Sequence, residues 1–333
     1  MKPNHKLIFS VLFLLCISAK AQQVAQTLPP SAGVAEGTPV TIPEARQYDI
    51  TSRINGQTYR IMVYAPLNAN TQTTFPTLYV LDGNYRFGPA ALALRQFSKG
   101  LLVPGIVVGI GYPTDDLEEI YRRRTFDMTP SVSNDPARVD STGGGDAFLR
   151  VIEEEIKPFV KERYNVNPAQ QFIYGSSLGG LIVLRALYRN PKAFSTYILS
   201  SPSIWYNDKE ILADEEAFSK RARSGELHLK VLVTSAGDEQ YRGKDPVLLL
   251  RASSRMVDNA SEFAERLSSF HPQNITVVRT IFDGEIHISV GSASLIRAIR
   301  FAFPLPIPAV NPVNLPAPSG QSPAVNKQTP VEP

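Results

Sequence analysis

Short apolar runs and longer stretches of helical period alternate from residue 77 to residue 303, and no other feature of the sequence restricts the fold so strongly. The runs are Thr77 to Leu81, Ile106 to Ile110, Gln171 to Tyr174, Thr196 to Ser200, Lys230 to Thr234 and Ile275 to Phe282. Among the helical stretches, Asp146 to Tyr164 spaces Phe148, Val151, Ile152, Ile156, Phe159 and Val160 along one face; Gly180 to Tyr188, Ser254 to Phe270 and Ser292 to Phe303 are the others. This alternation predicts an α/β fold, a mostly parallel central sheet with helices on both faces. Sites in such sheets form at the carboxyl ends of the strands. Upstream, Tyr48 to Ile54 and Thr58 to Ala65 flank Asn55-Gly56, which predicts an N-terminal antiparallel hairpin closed by a type I′ turn.

The flanks read differently. Lys2, His5 and Lys6 precede an apolar run from Leu7 to Ile17 and then Ala19-Lys20-Ala21, the pattern of a cleaved export signal over residues 1–21. Export to the periplasm or the exterior is the resulting expectation. Residues 22–42 read as a flexible leader, 43–303 as the folded domain, and 304–333, with nine of the 27 prolines, as a Pro-rich disordered tail. The only cysteine, Cys16, lies in the signal, so the mature chain is expected to hold no thiol, disulfide or Cys-ligated metal. After signal cleavage no run is long enough to span a membrane. With 34 basic against 31 acidic residues, nucleic acid is not an expected partner.

Tyr174-Gly175-Ser176-Ser177-Leu178-Gly179-Gly180 ends one predicted strand and starts one predicted helix. A G-x-S-x-G pattern also arises by chance as a glycine turn. Its strand-to-helix context makes it a nucleophile elbow, where the serine sits on a tight turn that needs small neighbours at Gly175 and Gly179. A serine hydroxyl needs a base, and histidine is suited to that task near neutral pH. His228 begins a strand and His271 closes a helix, both at the wrong end of the sheet, so elimination leaves His287.

The third group should be a carboxylate at the end of another strand, and Lys230 to Thr234 runs into Ser235-Ala236-Gly237-Asp238-Glu239. Spacing leaves Asp238 and Glu239 both open. Two backbone donors are wanted for an oxyanion, and the amides of Leu178 and Asn84 are the candidates. Asp82-Gly83-Asn84 is equally readable as a plain β-turn.

With these positions, the chain resembles the Putative esterase family of α/β-hydrolases, which includes enterochelin (ferric-siderophore) esterases and is related to mycolyltransferases. The carriers are Leu81 to Asn84, Arg124 to Pro130, Gly175 to Gly180, Ser200 to Trp205 and Gly284 to His287, within a likeness that runs from about Tyr48 to Phe303. The resemblance implies an α/β-hydrolase fold, Ser177 as nucleophile, His287 as base, Asn84 and Leu178 as oxyanion donors, and Glu239 ahead of Asp238 as the acid. It also implies no cofactor and no metal.

Tyr85, Arg124 and Trp205 are expected around the mouth as substrate-binding residues. Arginines and aromatics there would suit an anionic, aromatic acyl group, although Arg122, Arg123 and Arg124 could instead be solvated or pair with Asp115, Asp116, Glu118 and Glu119. Ser141 to Gly145 imitates a phosphate loop but lacks the Lys that should follow. The sequence thus points to an exported serine esterase acting on a small-molecule ester, its oligomeric state open. The competing readings are a catalytically silent binding protein and an acyltransferase.

Overall fold

The computed structural model describes residues 37–66, 73–240, 254–271 and 273–305. The expected export signal, most of the leader and nearly all of the Pro-rich tail lie outside the described residues. One sheet of eight strands organises the chain. In sequence order the strands are β1 Ala45–Thr51, β2 Thr58–Tyr64, β3 Phe75–Val80, β4 Ile106–Gly111, β5 Val166–Ser176, β6 Thr196–Ser200, β7 Leu229–Ala236 and β8 Ile275–Phe282. They are arranged as β1-β2-β4-β3-β5-β6-β7-β8. The pairs β1/β2 and β2/β4 are antiparallel, and every pair from β4 onward is parallel.

The central strands are apolar throughout because both faces of the sheet are covered: every residue of β3, β4 and β6 is buried. Helices α1 (Gly83–Phe97) and α8 (Val290–Ala302) lie on one face, sharing a core of Leu78, Phe87, Leu94, Phe172, Leu295 and Ile299. The other face packs under α3 (Gly145–Val151), α4 (Lys157–Arg163), α5 (Leu178–Arg189), α6 (Glu215–Arg223) and α7 (Met256–Ser268), where Phe148, Ile182, Phe218 and Phe263 are buried together. Helix α2 (Leu117–Asp127) follows β4 and contributes Ile120 to that second core.

Three local features depart from the sequence expectation. The hairpin forms, but β1 ends at Thr51, which pairs with Thr58, so the loop has six residues rather than a two-residue type I′ turn. Ser52 causes this: its Oγ accepts the amides of Ile54 and Asn55, and Asn55 Oδ1 accepts that of Gln57, which gives the backbone local partners in place of a ladder. The helix expected over 146–164 runs unbroken over 145–163 but contains a π-turn at Ile152–Ile156, where the Lys157 amide bonds back to Ile152. Pro158, lacking an N–H, cannot continue the regular pattern there. Finally, α1 and α2 have no counterpart among the expected helices. Pro89 interrupts the helical signal of the first, and charge dilutes the apolar period of the second.

Candidate active site

Ser177 occupies the single residue between β5 and α5. Its backbone, at φ 60° and ψ −120°, is a conformation that a residue with a Cβ adopts only under strain. Main-chain bonds hold it there, from the Ser177 amide to Ser200 O (2.9 Å) and from the Ser203 amide to Ser177 O (3.1 Å). The two flanking glycines serve different ends. A Cβ on Gly175 would lie 2.1 Å from the carbonyl oxygen of Gly179, so only glycine lets the turn close. A Cβ on Gly179 itself would meet nothing nearer than 3.5 Å; one on Gly180, by contrast, would lie 2.9 Å from the Cα of Pro202.

Around this turn three side chains form a continuous chain of contacts. His287 Nε2 lies 2.9 Å from Ser177 Oγ, and its Nδ1 lies 2.8 Å from Glu239 Oε2. The loop from Gly284 to Ser289 carries His287 between β8 and α8; Ser289 Oγ accepts the Ile286 amide, which fixes the turn. Glu239 sits just beyond β7 with its carboxylate fully buried. Its second oxygen, Oε1, accepts the Ser201 hydroxyl (2.9 Å) and the Ala236 amide (3.0 Å), so a charge taken out of water keeps hydrogen-bond partners. Asp238 is exposed, and among the described residues only its backbone amide is engaged, with Glu285 O at 3.0 Å.

The remaining expected residues separate into those on the cavity wall and those behind it. Leu178 opens α5 beside Ser177, where a first-turn amide has no intrahelical acceptor. Asn84 does not line the cavity. Its side chain donates to the carbonyls of Tyr112 and Thr114 and accepts the Tyr112 amide, tying the start of α1 to the end of β4. Arg124 lines the cavity, but its guanidinium is engaged as a brace. Nε donates to Asp82 Oδ1 at 2.6 Å, and Nη2 donates to Asp82 Oδ2 at 3.2 Å and to Ser176 O at 3.0 Å, with both side chains nearly buried. Of the pairings expected for the three arginines, that of Arg123 with Glu119 forms, at 3.6 Å, whereas Arg124 pairs with Asp82. Tyr85 and Trp205 are partly exposed on the wall.

Ser177 lies where two lobes of a cleft meet. The larger, about 760 Å³, is lined by Asp82, Tyr85, Arg86, Tyr121, Arg124, Arg138, Leu178 and Trp205 among others. The smaller, about 370 Å³, is lined by Asp238, Glu239, Met256, Ile286 and Ile288; Ser203 and Trp205 border both. Sequence reasoning missed Ser201, Ser203 and Arg86. Ser201 Oγ holds Glu239, and Ser203 Oγ stands 3.4 Å from Ser177 Oγ. The run Ser200 to Trp205 was visible, but nothing local in it signals a bond to Glu239, 38 residues away. Among the described residues no cluster of His, Asp or Glu could hold a metal ion, and no helix is long and apolar enough to cross a membrane.

Comparison with known proteins agrees with this architecture. Residues 52–275 match the family described as Putative esterase. The ferri-bacillibactin esterase BesA of Bacillus subtilis is 35% identical over 272 residues, covering 79% of this chain and 91% of that one. The siderophore triacetylfusarinine C esterase of Aspergillus fumigatus is 35% identical over 286 residues, 80% of this chain and 95% of its own. Among solved structures, the BES protein from Bacillus cereus superposes with a TM-score of 0.71 at 30% identity, over 81% of this chain and 98% of that one.

Proposed function

This chain belongs to the Putative esterase family of carboxylic ester hydrolases with the α/β-hydrolase fold, and we propose that it is an exported serine esterase that cleaves the ester bonds of a siderophore. The observation that carries the serine mechanism is the unbroken contact chain Ser177–His287–Glu239, at 2.9 and 2.8 Å. The siderophore assignment rests on the names of its relatives, the ferri-bacillibactin and triacetylfusarinine C esterases.

In this reading Ser177 Oγ attacks the ester carbonyl while His287 Nε2 takes its proton. Glu239 holds the imidazole with Nδ1 protonated and stabilises the imidazolium that forms. Negative charge develops on the former carbonyl oxygen. The Leu178 amide at the positive end of α5 receives it; Asn84, the second donor expected from the sequence, stands behind the cavity wall and takes no part in this reading. The imidazolium then gives its proton to the departing alkoxide, leaving an acyl group on Ser177. Water, deprotonated by the same imidazole, releases the acid and restores the hydroxyl. Arg124 has a positioning role: its bond to Ser176 O and its pair with Asp82 steady the turn that presents the nucleophile.

Export through residues 1–21, with 43–303 as the catalytic domain, completes the proposal. A fluorophosphonate probe tests the mechanism. Folded protein at neutral pH should be labelled on Ser177 and on no other residue, and absence of that adduct overturns the serine assignment. A panel of p-nitrophenyl, feruloyl and catecholate esters tests the substrate class, which fails if the catecholate esters are untouched while the others turn over.

A further inference from the structure

Arg86, in the first turn of α1, lines the same lobe as Ser177 and His287, yet among the described residues no acid pairs with it. Arg124 has Asp82 at 2.6 Å and Arg138 has Asp135 at 3.7 Å, whereas among the described residues Arg86 has no ion pair and no side-chain hydrogen bond. Its Nε is buried without a partner. A buried guanidinium donor with nothing to bond is unusual, because the desolvation goes uncompensated.

Two contacts fix the group in the lobe. Its Cζ stands 5.9 Å from the ring centroid of Tyr174, whose hydroxyl is bound to Gly291 O. A Cβ on Gly291 would fall 2.2 and 2.3 Å from the two terminal nitrogens of Arg86. Glycine at 291 therefore leaves room for the guanidinium. Gly291 also lies in the first turn of α8, so the positive end of that helix adds to the field of the arginine. The smaller lobe has the opposite character, with Asp238 and Glu239 beside Met256 and Ile286.

We propose that Arg86 is a specificity residue for an ester that carries an anionic oxygen, carboxylate or catecholate, on the part that occupies the larger lobe. This rests on the serine-esterase reading above and adds to it the charge of the substrate and the residue that selects for it. An anionic oxygen there would give the guanidinium the charge-assisted bonds it lacks in the protein alone.

The test compares the mono-p-nitrophenyl ester of adipic acid with its neutral methyl ester. Wild-type protein should favour the anionic ester. In Arg86→Gln the ratio of the two kcat/KM values should fall by about tenfold or more, chiefly through KM. Arg86→Lys should fall less. Gly291→Val, which leaves Arg86 in the chain but takes its space, should reproduce the loss. An unchanged ratio in both Arg86→Gln and Gly291→Val overturns the proposal.

A second readout needs no turnover: Trp205, the only tryptophan in the chain, lines the same lobe and should report ligand binding by fluorescence. Titration with benzoate and with 4-nitrocatechol, whose phenol is ionised near neutral pH, separates the two sources of the anionic oxygen, and whichever binds should do so at least about tenfold more weakly to Arg86→Gln. If the protein turns over neither ester but binds one of these ligands through Arg86, the esterase reading fails and the Arg86 assignment stands. If neither ligand binds and the ester ratio shows no Arg86 dependence, the assignment itself is overturned.

Discussion

Glu239 Oε2 lies 2.8 Å from His287 Nδ1, whereas the adjacent Asp238 directs no side-chain bond to the imidazole. The two carboxylates that spacing left equivalent thus occupy different environments, one buried under three hydrogen-bond contacts and the other in solvent. Glu239→Gln keeps the shape but offers an amide that can favour the wrong imidazole tautomer. It should lower kcat by about 10²- to 10⁴-fold with little change in KM. Asp238→Asn should stay within about threefold of wild type. Steady-state kinetics with a p-nitrophenyl ester decides it, and equal losses in the two variants would count against Glu239 as the acid.

The Asp82–Arg124 pair is buried on both sides, so breaking it leaves a charge without a partner. Asp82→Ala should cost about 3–5 kcal/mol of unfolding free energy. Urea denaturation measures this. Because Arg124 also holds Ser176 O, kcat should drop in the same variant even under conditions where it is fully folded. A variant as stable and as active as wild type would refute the bracing role.

Gly175 and Gly179 are interchangeable in the motif but not in the structure. Gly175→Ala places a methyl group 2.1 Å from a backbone oxygen that cannot swing aside, and should cost at least about 2 kcal/mol. Gly179→Ala meets only ordinary contacts and sits in a helix, so its stability should lie within about 1 kcal/mol of wild type. Thermal melts of the two variants side by side give the answer; similar melting points would contradict the geometry.

Asp127 supplies a pH-dependent prediction. It is the buried last residue of α2, with the Tyr112 hydroxyl donating to its Oδ2 at 3.1 Å. Burial pushes its carboxyl up to about 6, despite hydrogen bonds from Tyr59 and Tyr112 and the nearby charge of Arg123. The folded state therefore binds this proton more tightly than the unfolded chain does. Its stabilising effect is complete below the ordinary carboxyl range, declines as pH rises, and is gone above about 6. Asp127→Asn removes the buried charge, so its stability relative to wild type should improve from about pH 4 to about pH 7 by on the order of 2 kcal/mol. Urea midpoints across that range provide the check, and a difference that stays flat or shrinks with pH contradicts it.

How much of this was legible in the sequence depended on whether the signal was local. The strands and the longer helices carry their own periodicity, so β6 and β8 coincide with the expected runs, and the glycines around Ser177 announce a turn. His287 could be reached only by excluding His228 and His271, an argument about ends of the sheet rather than about contacts. The pairing of Arg124 with Asp82, 42 residues upstream, and of Ser201 with Glu239 has no trace in composition or spacing, because it is created when separate strand ends converge. Arg86 was hidden for a related reason: what distinguishes it is the lack of an ion-pair partner among the described residues, which no sequence displays.

The backbone of Ser177 bears on how this protein could change over generations. At φ 60° and ψ −120°, glycine would sit without strain and serine does not. A β-branched threonine would fit worse still, so the hydroxyl at this position has one practical source among the amino acids. Ser177→Gly should melt higher than wild type while losing the nucleophile. A duplicated copy of the gene, once released from selection for hydrolysis, would thus find its first stabilising step at the very residue proposed as the nucleophile, and loss of activity by that route would be self-reinforcing.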